Sequence, residues 1–122
     1  FKSSVMASMR INKKTVSRWG IFSLSKKLDH KNYLIKNVIE KPSIKKAPSN
    51  QAVIGRYILS KKIFKKLSNL KPSKNSEIHI TDAIQSLISD NEKFIAHNFS
   101  GKYLDCGTMD GYIKSSLEFS KL

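Results

Sequence analysis

The sequence predicts an α/β or α+β fold that forms part of a larger sheet. Short apolar-rich stretches bounded by polar or proline-containing connections indicate strands, and three later segments carry apolar residues at helical spacing. The first strands follow one another without a helix of their own. We therefore expect chain outside these 122 residues to supply part of the sheet. An incomplete sheet would leave apolar faces and a strand edge uncovered.

The predicted strands lie on both sides of two helical segments. They are residues 5–11, 19–24, 33–40, 51–59, 93–98 and 102–104. Residues 12–14 are predicted to form a turn. Pro42 ends the third strand, because its ring keeps the residue before it in an extended conformation.

Apolar periodicity predicts three helices. The first runs from Ser60, as its N-cap, to Leu70, and the second covers residues 81–89. The last begins near Met109 and continues to the end of the chain. In the first helix the lysines fall opposite an apolar face, so amphipathicity alone explains that lysine cluster. The predicted apolar face consists of Ile63, Phe64, Leu67 and Leu70.

Lysine dominates the charge of the chain. The net charge is +14, and 20 of the 23 basic residues are Lys. Only Arg10, Arg18 and Arg56 are arginines. Surfaces that read nucleic acid favour the bidentate guanidinium of arginine, so the scattered lysine pairs fit a solvated surface better. A lysine-rich module that binds RNA or DNA is the alternative. It would need one contiguous positive face with aromatic side chains between the lysines.

Three features of the sequence bear on cellular context. No apolar run is long enough to span a bilayer, and the first residues lack the layout of a signal peptide. The chain does not begin with Met, so we interpret it as a processed chain or a fragment. The single cysteine, Cys106, has no partner for an internal disulfide, which fits a reducing cytoplasm. We expect a cytoplasmic protein with neither a membrane nor nucleic acid as a partner.

Four of the nine acidic residues lie in tight local contexts: Glu40, Glu77, Asp82 and Asp105. Glu40 ends a predicted strand before Lys41, where its carboxylate could accept hydrogen bonds from sugar hydroxyls while the lysine faces an anion. A surface ion pair at a strand end explains the same two residues. Asp105 comes just before the last helix. It is either an oxygen ligand for Mg²⁺ or a residue that ends a strand or caps the helix.

Cysteine and histidine chemistry has less support. Cys106 is most simply a small buried apolar residue, because none of the three histidines is obviously placed as a base for it. The histidines also lack metal-ligand spacing. The residues by themselves therefore indicate an anion or sugar site and no more.

Four stretches occur in order between residues 38 and 117: VIEKP, APSNQAVIGRYILS, EIHITDAIQSLI and GKYLDCGTMDGYIKSSLEF. Their residues, their order and the intervals between them resemble those of bacterial UDP-glucose pyrophosphorylases, the UTP–glucose-1-phosphate uridylyltransferases. VSRWGIF, at residues 16–22, is similar to that family's strand with an aromatic–glycine pair. EKP alone occurs in many sugar nucleotidyltransferases, whereas the APSN, GRY, TDAI and DCG series is specific to the uridylyltransferase branch. The resemblance covers nearly the whole chain but well under half of a family member.

The resemblance implies a role for five residues. Gly20 would lie against the glucose ring, and Glu40 would hold glucose hydroxyls. Lys41 would contact the sugar phosphate. Val53 matches a position that lines the sugar pocket in related thymidylyltransferases. Asp105 resembles the second metal-ligating aspartate of those relatives, so the implied cofactor is Mg²⁺.

The resemblance also implies a fold and a reaction. Residues 1–122 would be the C-terminal part of a single nucleotidyltransferase domain, Rossmann-like with a mixed sheet and incomplete without its N-terminal half. In the intact enzyme, glucose 1-phosphate would attack the α-phosphorus of UTP and release pyrophosphate, giving UDP-glucose. The glycine-rich loop that holds UTP and the first metal-ligating aspartate have no counterpart here, so we expect the chain alone to be inactive.

Two further points stay open on the residues of this chain. The side chains that recognise the base would lie upstream, so a glucose-1-phosphate thymidylyltransferase is an alternative. Family members are commonly dimers or tetramers, and we expect the full-length protein to be a homodimer or homotetramer.

Overall fold

The computed structural model describes residues 2–72 and 77–122, which contain five strands and three α-helices. The strands are Ser4–Arg10 (β1), Gly20–Lys27 (β2), Asn32–Glu40 (β3), Gln51–Ile58 (β4) and Phe94–Asn98 (β5). The helices are Lys62–Asn69 (α1), Ile80–Ser89 (α2) and Met109–Phe119 (α3). A 3₁₀ helix spans Lys13–Arg18.

The strands close into a ring in the order β1-β4-β2-β3-β5. β1 runs parallel to β5, and the other pairings are antiparallel, so the α/β class with a mixed sheet is confirmed. The contact between β2 and β4 is the narrowest, with Ile21 opposite Ala52. Each described strand has a neighbour on both sides. The expectation of an uncovered strand edge is therefore wrong for this part of the chain.

β4 contains a bulge where it passes β1. Met6 stands opposite Tyr57 and Ser8 opposite Val53, so residues 54–56 of β4 face a single residue of β1. Gly55, inside the bulge, has a φ of +58°, which glycine adopts without a Cβ clash. A Cβ there would meet nothing within 4 Å. The backbone conformation, and not lack of space, therefore favours glycine at this position.

The main core joins one face of the strands to α1 and α2. Phe22, Phe94 and Ile84 are among its fully buried members. α2 lies against β3, and its Gln85 Oε1 accepts a hydrogen bond from the backbone N–H of Val38 at 2.9 Å. Truncating a buried phenylalanine of this kind to alanine typically costs about 3–5 kcal/mol of stability. This packing is what fixes the start of α2 beside the end of β3.

α1 differs from the prediction at its start and on one face. Lys61, and not Ser60, is its N-cap, without a side-chain cap hydrogen bond. The Ser60 N–H donates instead to Ser4 Oγ at 3.2 Å. Phe64 is 72% exposed, whereas Ile63 is buried. The core-facing line follows Ile63 and the leucines four and seven residues later, and Phe64 stands about 100° around the helix from Ile63.

Two connections also differ from the prediction. Residues 102–104 do not form a strand; the Tyr103 ring packs edge-on against Trp19, with ring centroids 5.2 Å apart. The described strands are already paired on both sides, so this segment finds no strand to join. The predicted turn after β1 is the start of the 3₁₀ helix, where Asn12 Oδ1 accepts the N–H of Lys14 at 3.0 Å.

α3 is covered by little of the described chain. Ser115 is its buried residue. Each of its large apolar side chains is more than half exposed. These side chains are Met109, Tyr112, Ile113, Leu117 and Phe119. Thr108 caps the helix by accepting the N–H of Gly111 at 3.1 Å.

The surface lysines take part in ion pairs at several places. Lys62 with Glu92, Lys66 with Asp90, Lys102 with Glu118 and Lys114 with Asp110 form four such pairs. Exposed pairs contribute about 0–1 kcal/mol each, so they matter little for stability. No helix in the described residues has the length and apolarity needed to cross a bilayer.

Candidate functional site

A pocket of about 480 Å³ opens where β2 begins and β3 ends. Gly20, the first residue of β2, is paired with Glu40, the last residue of β3. The bulged part of β4, the start of α2 and the loop before α3 complete the walls. Four of the five residues singled out in the sequence line this pocket, namely Gly20, Glu40, Val53 and Asp105.

Gly20 is the point at which the pocket wall is tightest. It is buried, and a Cβ added to it would lie 3.1 Å from Glu40 Oε2 and 3.2 Å from Val53 Cγ2. Thr81 Cγ2 would be 3.5 Å away. Contacts below about 3.4 Å force the neighbouring atoms to shift. Gly20, Glu40 and Val53 therefore share one small surface, with Thr81 as a fourth member that the sequence analysis did not include.

Thr81 holds the carboxylate of Glu40 in place. Its Oγ1 donates a hydrogen bond to Glu40 Oε2 at 3.0 Å. Thr81 is 4% exposed and belongs to the first turn of α2, which packs on β3. A hydrogen bond to an ionised carboxylate is worth about 1.5–3 kcal/mol. No hydrogen bond in the described chain engages the other oxygen, Oε1, so it stays available to a ligand.

Lys41 follows Glu40 directly but does not line the pocket. Its side chain is exposed, and its backbone has a φ of +43°. That left-handed conformation costs a non-glycine residue roughly 1–2 kcal/mol. The Lys41 N–H donates to the carbonyl of Trp19 at 3.0 Å, and Pro42 behind it is buried. The chain therefore turns sharply after Glu40, and Lys41 is an exposed neighbour of that residue outside the pocket lining.

Asp105 reaches the pocket from the loop between β5 and α3. Its Oδ1 accepts the N–H of Gly107 at 3.0 Å. A Cβ on Gly111 would lie 2.3 Å from the Asp105 carbonyl oxygen, so glycine is what lets α3 begin this close to the loop. Because Thr108 is the cap of α3, the interpretation of Asp105 as the helix cap is wrong. Cys106, expected to be buried, is exposed.

The donors in the pocket fit part of a magnesium site. Among the residues that the structure describes, no three His, Cys, Asp or Glu side chains come together. Mg²⁺ usually takes one or two carboxylates together with substrate phosphates and water. Asp105 has one carboxylate oxygen bonded to Gly107 and a second free of that bond. One ligand from this chain is therefore compatible with Mg²⁺ chemistry.

Tyr57 lies on the same wall of the pocket. Burial, and after it the negative charge of Glu40, raises the pKa of the Tyr57 phenol above its ordinary value of 10.0. Tyr57 is therefore a neutral hydrogen-bond donor at physiological pH. Its aromatic ring and hydroxyl suit a ligand that presents both apolar faces and polar groups, as a sugar does.

Several residues of this wall are not predicted from the sequence. The sequence marks Thr81 only as the start of a predicted helix, and its neighbour Asp82 is the charged residue of the two. In the structure, Asp82 is exposed and lies outside the pocket, whereas Thr81 is buried and lines it. Arg18 and Arg56 also line the pocket. Their rarity in a lysine-rich chain was the one signal in the sequence that could have marked them.

Comparison of this chain with known proteins identifies the family that it matches. The profile of the family described as Nucleotidyl transferase matches residues 2–121. The UTP–glucose-1-phosphate uridylyltransferase of Pseudomonas aeruginosa is 34% identical over 116 residues, which cover 95% of this chain and 41% of the relative. The UTP–glucose-1-phosphate uridylyltransferase 2 of Streptococcus pyogenes serotype M3 is 35% identical over 97% of this chain and 39% of its own length.

Solved structures show the same relationship. A UDP-glucose pyrophosphorylase complexed with UDP-glucose superposes with a TM-score of 0.90 at 42% identity, covering 98% of this chain and 45% of that one. The UTP-bound UGPase from Acinetobacter baumannii gives a TM-score of 0.79 at 28% identity, over 97% of this chain and 40% of that one. The chain thus spans about two fifths of the length of these relatives. The family resemblance that its motifs indicate is confirmed. It belongs to the nucleotidyl transferase family.

Proposed function

We propose that this chain is the sugar-phosphate-binding and metal-binding part of a UTP–glucose-1-phosphate uridylyltransferase. Residues 1–122 would then be the C-terminal part of a single nucleotidyltransferase domain. The meeting of Gly20, Glu40 and Val53 on one wall, with Asp105 lining the same pocket, carries this proposal. The names of the relatives, and the UDP-glucose bound in one solved structure, support the choice of sugar nucleotide.

The residues divide the work of binding glucose 1-phosphate. Gly20 leaves room for the sugar ring, and the side chain of Val53 packs against an apolar face of it. Glu40 accepts hydrogen bonds from sugar hydroxyls through Oε1, because Thr81 already engages Oε2. Lys41, the exposed residue that follows Glu40, offsets the charge of the sugar phosphate. Positioning of this kind lowers the barrier to transfer without any bond being made to the protein.

In the proposed reaction, a phosphate oxygen of glucose 1-phosphate attacks the α-phosphorus of UTP, and pyrophosphate leaves. Mg²⁺, when bound, supplies positive charge that offsets the charge developing on the phosphates. Asp105 would be its ligand from this chain. We further propose a cytoplasmic location, which rests on the single unpaired cysteine, and a homodimeric or homotetrameric full-length enzyme.

Direct binding to the chain tests the proposal. Glucose 1-phosphate titrated into the protein should shift the amide resonances of Gly20 and Glu40 in NMR spectra. Glu40→Gln should weaken that binding by roughly tenfold or more, because the lost hydrogen bond is charge-assisted. Glu92→Gln is the matched control, since Glu92 pairs with Lys62 away from the pocket. Equal affinity in the Glu40 variant and the control would refute the assignment.

A chimaera tests the complete activity. The chain would replace the matching 41% of the Pseudomonas aeruginosa relative. We expect the chimaera to form UDP-glucose and pyrophosphate from UTP and glucose 1-phosphate, and the chain alone to form neither. A folded chimaera without activity would argue against the proposal, and pyrophosphate release by the chain alone would contradict the expected inactivity.

A further inference from the structure

The arginines of this chain are placed differently from its lysines. Two of the three arginines, Arg18 and Arg56, line the pocket that contains Glu40 and Asp105. None of the lysines in the described ranges lines it, although the sequence has 20 of them. Arginine differs from lysine in presenting a planar fork of donors that matches the oxygens of phosphate and carboxylate groups. The basic side chains that line the pocket are therefore of the type best suited to bind oxyanions.

Local structure explains how each arginine reaches the pocket. Arg18 ends the 3₁₀ helix and comes two residues before Gly20. Arg56 follows Gly55 in the bulge of β4, where the left-handed backbone breaks the strict alternation of the strand. Bulges commonly re-aim a side chain next to a functional site. The special conformation at Gly55 thus has a consequence for Arg56.

Both guanidinium groups are available to a ligand. Both side chains are exposed, and no ion pair joins either to a carboxylate within residues 2–72 and 77–122. Arg56 Nη1 donates at 3.3 Å to the carbonyl of Gly55, which uses one of its five donors. One oxygen of each pocket carboxylate already accepts a hydrogen bond within the chain, Glu40 Oε2 from Thr81 and Asp105 Oδ1 from Gly107.

We infer that Arg18 and Arg56 bind a phosphoryl group of the ligand in this pocket. The ligand's identity as a sugar phosphate rests on the proposed function, whereas the phosphoryl-binding role does not. The group could belong to glucose 1-phosphate or to the polyphosphate of the nucleotide. If the group is the sugar phosphate, the two arginines share with Lys41 the recognition of its charge.

The experiment measures dissociation constants of three probes by titration calorimetry: glucose 1-phosphate, UTP and inorganic pyrophosphate. The variants are Arg18→Gln, Arg56→Gln and the double substitution, with Arg10→Gln as the matched control because Arg10 lies outside the pocket. Amide spectra of each variant confirm the fold. We expect the double variant to raise the dissociation constant of at least one probe by roughly tenfold or more. The Arg10→Gln control should change the same constant by less than about twofold.

The choice of probes identifies the source of the phosphoryl group. Loss confined to glucose 1-phosphate assigns the arginines to the sugar phosphate, and loss for UTP and pyrophosphate assigns them to the nucleotide side. Arg18→Lys and Arg56→Lys should recover only part of the affinity, because lysine keeps the charge without the fork. Equal weakening in the Arg10 control would reduce the effect to overall charge and overturn the inference.

The remaining outcomes separate this inference from the proposed function. Binding of glucose 1-phosphate that depends on Glu40 but not on the two arginines would overturn the inference and leave the function standing. Pyrophosphate binding that depends on the arginines, without Glu40-dependent binding of glucose 1-phosphate, would overturn the proposed function and leave the inference standing. No binding of any of the three probes would overturn the inference.

Discussion

The hydroxyl of Thr81 donates a hydrogen bond to Oε2 of Glu40 at 3.0 Å, joining the start of α2 to the end of β3 across 41 residues of chain. The two carboxylate oxygens of Glu40 therefore have different roles. Oε2 is held by the protein, and Oε1 remains for a ligand. Thr81 is buried by packing of α2 on the sheet, so the core of the protein fixes the direction in which Glu40 presents its free oxygen.

The Thr81 hydroxyl should therefore control ligand affinity through Glu40. Thr81→Val keeps the shape of the side chain but removes the donor, and we expect glucose 1-phosphate to bind roughly tenfold more weakly. Thr81→Ser keeps the donor and should restore most of the affinity. Calorimetric titration of the two variants makes the comparison. If valine bound the sugar phosphate as well as serine does, Thr81 would have only a packing role.

Gly20 and Gly55 should respond differently to alanine. At Gly20 the new Cβ would press on Glu40 Oε2 and Val53 Cγ2, at 3.1 and 3.2 Å, so the side chains of the site must move. We expect glucose 1-phosphate binding to fall below detection, with a stability loss of about 1–3 kcal/mol from overpacking. NMR titration and denaturant unfolding report the two effects separately.

Gly55→Ala is the contrasting variant. A Cβ at Gly55 would meet no atom within 4 Å, but alanine is strained at a φ of +58°. We expect a loss of about 1–2 kcal/mol in unfolding free energy and a smaller change in sugar binding than at Gly20. Equal binding losses in the two variants would mean that crowding at Gly20 is not what matters.

Much of the fold could be predicted from the sequence, because local signals and tertiary packing agree over most of it. β3 stops at Glu40, as the following proline indicates, and α2 follows its apolar spacing closely. Local signals failed where partners decide the outcome. Residues 102–104 have strand-like composition but no strand to pair with. Closure of the strand ring depends on pairing between distant segments, which one sequence does not reveal.

The site was less predictable than the fold. The roles of Glu40 and Asp105 came from family resemblance, since a carboxylate at a strand end or before a helix has ordinary structural explanations. Thr81 could not be recognised because its importance is a single long-range hydrogen bond. Arg18 and Arg56 lie 38 positions apart in the sequence, and the fold brings both to one pocket.

The phenol of Tyr57 gives the pocket a signature at high pH. Burial first, and the charge of Glu40 second, raise its pKa above 10.0 in the folded chain. A raised folded-state pKa contributes stability below the unfolded value and loses it as pH rises through the folded value. We therefore expect the unfolding free energy to fall above about pH 10.

Two variants assign that pH dependence. Tyr57→Phe should remove this part of the loss of stability at high pH, as measured by urea unfolding at several pH values. Glu40→Gln should lower the pKa of Tyr57 only in part, since burial is the larger cause. An NMR titration of the Tyr57 ring in both backgrounds measures that change. A Tyr57 pKa at the ordinary value in the unsubstituted chain would contradict the packing described here.

Asp105 is where local structure and metal binding can be separated by one substitution. Its Oδ1 accepts the N–H of Gly107, and an asparagine Oδ1 can accept the same bond. Asp105→Asn therefore keeps the turn before α3 while it removes the negative charge. If Asp105 is a ligand of Mg²⁺, the full-length enzyme should need more Mg²⁺ and lose catalytic rate without losing stability. In the chain itself, paramagnetic Mn²⁺ should broaden the resonances around Asp105 less in the variant. Asp110→Asn is the matched control, because Asp110 pairs with Lys114 on the exposed side of α3. An Asp105→Asn enzyme with an unchanged Mg²⁺ response would leave Asp105 with the structural role of holding the loop against α3.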